Sequence, residues 1–169
     1  MEIVSTIVLV PLALGSTVLG IIPPSGGIVV HDGKANGLIS FGSGVGFGEK
    51  VDLKRFSDAR LLIGYNHMYG GDLKDFVRLE ATGDVHLEFL DRRKIVLFGI
   101  SPSAGLITDF PSVGYSVGVS SWVMTPWLTY FGFIPQHAFS VSYRYDKYPG
   151  GKGFGELTAG ISSAFTWGW

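Results

Sequence analysis

The chain has 169 residues, 25 of them glycine, with 14% aromatic residues and only 16% charged ones, against a charged share of roughly 25% in ordinary globular domains. A net charge of −1 excludes bulk attraction to nucleic acid, and the lack of cysteine excludes disulfide frameworks and thiolate metal sites. The length suits one domain with a real core.

Ile3 to Ile22 carries no charge, and Pro23-Pro24-Ser25-Gly26-Gly27 breaks the run. An apolar stretch followed by breakers predicts a secretory signal over residues 1–25, although Glu2 stands where such signals carry cations. The length also allows a transmembrane helix, which Pro11, Gly15, Gly20 and many β-branched residues oppose. Retention of Ile3–Leu14 as a strand of the fold is the third reading.

Residues 26–169 then read as eight strands. Gly37–Gly48 alternates Ile39, Phe41, Val45 and Phe47 with Ser40, Gly42, Gly44 and Gly46. Ala59–Tyr69 sets Leu61, Ile63, Tyr65, His67 and Tyr69 against Arg60, Leu62, Gly64, Asn66 and Met68. Phe76–Leu90 places Val77, Leu79, Ala81, Val85, Leu87 and Phe89 opposite a polar face that begins at Arg78. Lys94–Ile100 is apolar on both faces, Ser112–Met124 alternates again, and Trp127–Ile134 is apolar throughout. Ala138–Asp146 opposes Phe139, Val141, Tyr143 and Tyr145 to Ser140, Ser142, Arg144 and Asp146. The last run, from Gly155, carries Leu157, Ala159, Ile161, Phe165, Trp167 and Trp169 on one face. No helical period follows residue 24, and the separators are turn-type clusters.

Period-two alternation with aromatic edges predicts an all-β fold, an eight-stranded antiparallel up-and-down transmembrane β-barrel. Gly and Ser dominate the polar faces, which makes a poor solvated surface and a good narrow interior. Arg78, Glu80, Asp84, His86, Glu88, Arg144, Asp146 and Glu156 then become lumenal charges. Buried charges persist only when paired, so an ion-pair network across the third, seventh and eighth runs is expected. Tyr65, Tyr69, Tyr115, Tyr143, Tyr145, Trp167 and Trp169 are the expected interfacial aromatics.

With a periplasmic N-terminus, the segments 49–58, 91–94, 125–126 and 147–153 face outward. They hold Lys50, Lys54, Arg55, Arg92, Arg93, Lys94, Lys147 and Lys152, eight of the 13 basic residues, as candidate contacts to lipopolysaccharide phosphates.

Strand number, alternation and the ending Phe165-Thr-Trp-Gly-Trp169 resemble the small eight-stranded outer-membrane barrels. That resemblance implies a Gram-negative outer membrane, lipid and lipopolysaccharide as partners, and Phe165, Trp167 and Trp169 as the signal read by the barrel-insertion machinery. Gly64-Tyr-Asn-His-Met-Tyr-Gly-Gly-Asp72 and Tyr143-Arg-Tyr-Asp146 faintly resemble the lipid A deacylase barrels. That family implies a His-x-Ser pair on the penultimate strand, which Ser140-Val-Ser-Tyr-Arg-Tyr-Asp146 lacks. His137 and Ser140 stand three apart, on opposite faces of a strand.

No catalytic residue, cofactor or metal site is therefore expected. His31, His67, His86 and His137 show no ligand spacing, and Gly42 to Gly48 does not match the dinucleotide fingerprint. Ser43 and His67, both outward by parity, are expected not to meet. A filled lumen and a structural or envelope-interaction role are the leading expectation. The alternatives are a lipid A-modifying hydrolase and a soluble β-barrel or sandwich for a small apolar ligand.

Overall fold

The computed structural model describes residues 23–48, 57–70, 75–87, 97–124, 136–151 and 153–168. They form nine strands: β1 (Pro24–His31), β2 (Lys34–Gly48), β3 (Ala59–Tyr69), β4 (Asp75–Gly83), β5 (Val85–His86), β6 (Leu97–Thr108), β7 (Val113–Met124), β8 (Gln136–Lys147) and β9 (Gly153–Gly168). The sheet runs β4-β3-β2-β1-β9-β8-β7-β6-β5, and pairing of β4 with β6 closes it into a ring. Neighbours are antiparallel except where Val45–Gly48 of β2 runs parallel to Phe165–Gly168 of β9.

β4 and β5 share one register against β6, from Thr82–Ser103 to Val85–Ile100, so they are two pieces of one course and the ring has eight positions. The break falls at Asp84, facing the stretch of β6 that holds Pro102, whose ring nitrogen has no hydrogen to give a ladder.

Two expected boundaries need correction. Pro24–Gly27, read as breakers, belongs to β1, and β6 continues to Thr108 where a strand ending at Ile100 was expected. The apolar run 127–134 lies outside the described residues, and β7 pairs directly with β8. Eight positions thus arise from a different set of strands than the alternation suggests.

That difference places one basic residue. The short turns 32–33 and 109–112 lie at one end of the ring, with the last residues of β3 and β8. The last residues of β2, β5 and β7 lie at the other end, together with the start of β1 and the end of β9. Lys147 is therefore at the short-turn end.

The stagger of the ring can be traced. Paired residues lead from Tyr69 through Gly37, Ile28, Leu157, Tyr143 and Val119 to Pro102. Pro102 faces Gly83 in the common register, and Gly83 pairs with Ala59, ten residues from the start on β3. For eight positions at ordinary strand spacing, that offset tilts the strands by about 40°.

Alternation sorts the side chains by polarity, in the reverse of a soluble sense. Val117, Val141 and Ile161 are exposed at 46%, 40% and 48%, and Val77 is half-buried. Leu61, Ile63, Leu79, Leu106, Val119, Phe139 and Leu157 join them on the outer face. Arg60, Arg78, Glu80, Asp84, Asp146 and Glu156 are buried inside. Apolar clusters stand at the two ends of the interior. Val29, Leu38, Met68, Phe76, Ile107 and Phe154 pack at the short-turn end, and Leu97, Trp122, Met124, Ala138 and Ala164 at the other. Gly99 serves the second cluster, because a Cβ there would stand 2.1 Å from the Trp122 ring.

Candidate functional site

Between the two apolar caps the interior holds two layers of ion pairs. In the layer nearer the short turns, Arg78 Nη2 donates to Asp146 Oδ2 and to Glu156 Oε2, each at 2.6 Å. Arg78 Nη1 reaches Glu156 Oε1 at 3.2 Å. Arg144 grips Glu80 through Nε at 3.0 Å and Nη2 at 3.0 Å, and reaches Glu156 Oε1 at 3.4 Å. Ser103 donates to Glu80 Oε1 at 2.7 Å. β4, β8 and β9 supply this layer, the three runs from which the network was expected.

The second layer was not expected. Arg60 of β3 forks onto Asp84, with Nε at 2.8 Å from Oδ2 and Nη2 at 2.7 Å from Oδ1. The side chains of Arg60 and Asp84 are 2% and 0% exposed. Ser57 and Ser101 also donate to Asp84, and Arg60 donates to Ser162 and Ser101 at 3.1 Å. Trp122 Nε1 donates to Ser101 Oγ at 2.9 Å, which ties the layer to the apolar cap. Arg60 was legible as an inward residue by parity with Asn66 and Met68, yet its partner lies on another strand and depends on register. Asp84 therefore belongs with Arg60, and His86 stands apart from the ion pairs. His86 is half-buried, with Nε2 2.7 Å from the Ser57 carbonyl and its ring edge-on to Trp122. Glu88 lies outside the described residues.

A cavity of about 100 Å³ lies between the layers. Its wall is rich in hydroxyls, Ser40, Ser103, Ser120, Ser142 and Thr158 among them, and Arg60, Arg78 and Arg144 border it with Glu80. Toward the short turns, Tyr148 lies just beyond β8 and stacks on Phe154. Burial raises its pKa first, and the carboxylates of Asp109 and Asp146 raise it further, so its hydroxyl stays neutral.

Outside, His67 Nδ1 lies 2.8 Å from Asp75 Oδ1, and Tyr65 donates to the same oxygen at 2.5 Å. The Tyr69 ring meets His67 edge-on. Ser43 pairs across β2 and β3 with Ile63, while His67 pairs with Ile39, so the two do not form a nucleophile and base. Among the described residues, no group of three metal-ligating side chains assembles.

Tyr65, Tyr69, Tyr115, Tyr143 and Tyr145 all point outward in the strand halves nearest the short turns. Phe47 and Phe139 are exposed near the other end. Phe165 is half-buried on β9, the backbones of Phe47 and Trp167 pair, and Trp169 lies outside the described residues. Lys50, Lys54, Arg55, Arg92, Arg93, Lys94 and Lys152 also lie outside them. No protein family, curated protein or solved structure matches this chain.

Proposed function

We propose that the chain is an integral β-barrel of a bacterial outer membrane, with a filled polar lumen and a structural or envelope-interaction role. The inverted polarity carries this reading: a continuous outer face of Val, Ile, Leu and Tyr surrounds buried ion pairs. Water outside would leave that face unexplained, since soluble monomers rarely expose so large a contiguous apolar surface. A bilayer accounts for it.

The dimensions agree. Strands of 11 or 12 residues such as β3, β6, β7 and β8, tilted by about 40°, span roughly 25–30 Å along the ring axis. Outer-membrane strands carry an apolar band of similar height flanked by aromatic girdles. The tyrosines supply one girdle; Phe47 and Phe139 stand where the other is needed. Two ion-pair layers and two apolar caps favour a plugged interior over a general diffusion pore. The same polar interior disfavours a soluble carrier of apolar ligands, and the separation of Ser43 from His67 leaves a serine-based lipid A hydrolase without its pair.

Lipid is the proposed partner of the belt, and the barrel-insertion machinery that of the C-terminal aromatics. Lipopolysaccharide phosphates are the proposed partners of the basic segments between the strands. Fractionation of expressing cells tests the reading. The chain is expected in the outer-membrane fraction, with gel mobility that changes on boiling as a folded barrel opens. Recovery in the soluble fraction would refute it.

A further inference from the structure

The ion-pair layer nearer the short turns is uneven in charge. Arg78 and Arg144 supply two guanidiniums there, against the three carboxylates of Glu80, Asp146 and Glu156. The other layer is even, with Arg60 against Asp84. The surplus falls on one atom. Both oxygens of Glu80 accept from Arg144, and both oxygens of Glu156 accept from Arg78. Asp146 Oδ2 accepts from Arg78, whereas Asp146 Oδ1 is buried with no donor. Ser116 pairs with Asp146 across β7 and β8, and its Oγ is likewise buried without a partner. Both residues are 0% exposed.

Among the described residues, the titratable groups around Asp146 come from several elements. β4 brings Arg78 and Glu80, β8 brings Arg144, and β9 brings Glu156. Tyr148 beyond β8 is neutral, and Asp109 in the turn after β6 adds another acid. β1 ends at His31, whose ring lies edge-on to Phe154, the residue paired with Asp146. β2, β3 and β6 turn Leu38, Met68 and Ile107 inward at this end. A buried charge without a counter-ion is costly, and such a group neutralises instead. Carboxylates that share a site also resist joint ionisation. A proton on either Glu would displace a guanidinium N–H, whereas Asp146 Oδ1 is open to one. The Ser116 hydroxyl has lone pairs with which to accept it.

We propose that this layer takes up one proton as the pH falls below neutral, on Asp146 Oδ1, and that the new O–H donates to Ser116 Oγ, so that mild acid stabilises the fold. One proton then evens the charge of the layer and gives both lone atoms a partner. In the unfolded chain Asp146 is solvated and stays ionised down to about pH 4. Above that value the folded layer holds a proton that the unfolded chain does not, and stability rises as the pH falls. The usual response of paired carboxylates has the opposite sign. The inference stands on the ion-pair geometry and is independent of what surrounds the ring.

The test uses the full folded chain, taken from about pH 7.5 to about pH 5.5, an interval in which solvated carboxylates stay ionised. Infrared difference spectra of the wild type in heavy water are expected to gain the carbonyl band of one protonated carboxyl per chain. Absence of that band overturns the proposal without any variant. A band that persists in Asp146→Asn overturns its assignment to Asp146. The urea midpoint of the wild type is expected to rise over the same interval. Asp146→Asn carries an amide N–H where the proton would sit, so its midpoint is expected to lack that rise. A wild-type midpoint that falls, or an equal rise in Asp146→Asn, contradicts acid stabilisation through this group. If Asp146→Asn does not fold, Ser116→Ala decides, because loss of the acceptor is expected to move the carbonyl band. An unmoved band in Ser116→Ala overturns the proposed hydrogen bond.

Discussion

Arg78→Ala is expected to lower the stability of the folded chain by about 3–5 kcal/mol, the cost of removing one partner from a buried ion pair. Among the described residues, Arg78 is the cation paired with Asp146, and it holds Glu156 through two nitrogens. Both carboxylate side chains are 0% exposed, so neither can recover its lost partner from water. Arg144 still reaches Glu156 at 3.4 Å, which leaves Asp146 as the more severely stranded group. Arg78→Ala combined with Asp146→Asn should therefore regain part of the loss, because the second change removes the stranded charge. Urea unfolding followed by the fluorescence of the four tryptophans measures all three chains. Unchanged stability of Arg78→Ala would mean that the interior is wet and open, contrary to a filled lumen.

Val141→Arg is expected to cost about 2–4 kcal/mol if, as proposed, a bilayer surrounds the ring, the penalty of a guanidinium on a lipid face near the midplane. Val141 is 40% exposed and lies near the middle of β8, between Phe139 and Tyr143. In a water-soluble protein the same exposed substitution typically stays within about 0.5 kcal/mol of neutral. The measurement is the unfolding midpoint in lipid vesicles, compared with Lys147→Ala at the short-turn end as a rim control. A neutral Val141→Arg would remove the reason for placing lipid against this face.

Alternation made most of the fold readable, because parity alone decides which side chains share a face. It carried Ala59–Tyr69, Ser112–Met124 and Ala138–Asp146 almost unchanged into β3, β7 and β8. β1 escaped because Pro-Pro-Ser-Gly-Gly has the composition of a breaker. Pro24 instead takes the first position of a strand, where a missing N–H is tolerated. Gly27 is demanded by crowding, since a Cβ there would stand 2.0 Å from the Leu157 carbonyl oxygen. A signal for this hairpin was present in Asp32-Gly33, a favoured two-residue turn, and both residues take the positive φ it requires, 50° and 74°.

The site divides in the same way. Arg78, Arg144 and their acids could be assembled from parity, since three alternating runs offered charges of both signs. Arg60 could not be matched to Asp84, because their meeting depends on the register of β3 against β4.

The absence of cysteine allows the outer face to be mapped one position at a time. Single cysteines at Phe139, Ser140, Val141, Ser142 and Tyr143 of β8, labelled with an environment-sensitive fluorophore in vesicles containing brominated lipid, test the central claim most directly. Labels at 139, 141 and 143 should be quenched by the bromine, while those at 140 and 142 should not. Uniform emission in water-like surroundings at 139, 141 and 143, with no quenching by brominated lipid, would contradict a bilayer around this ring.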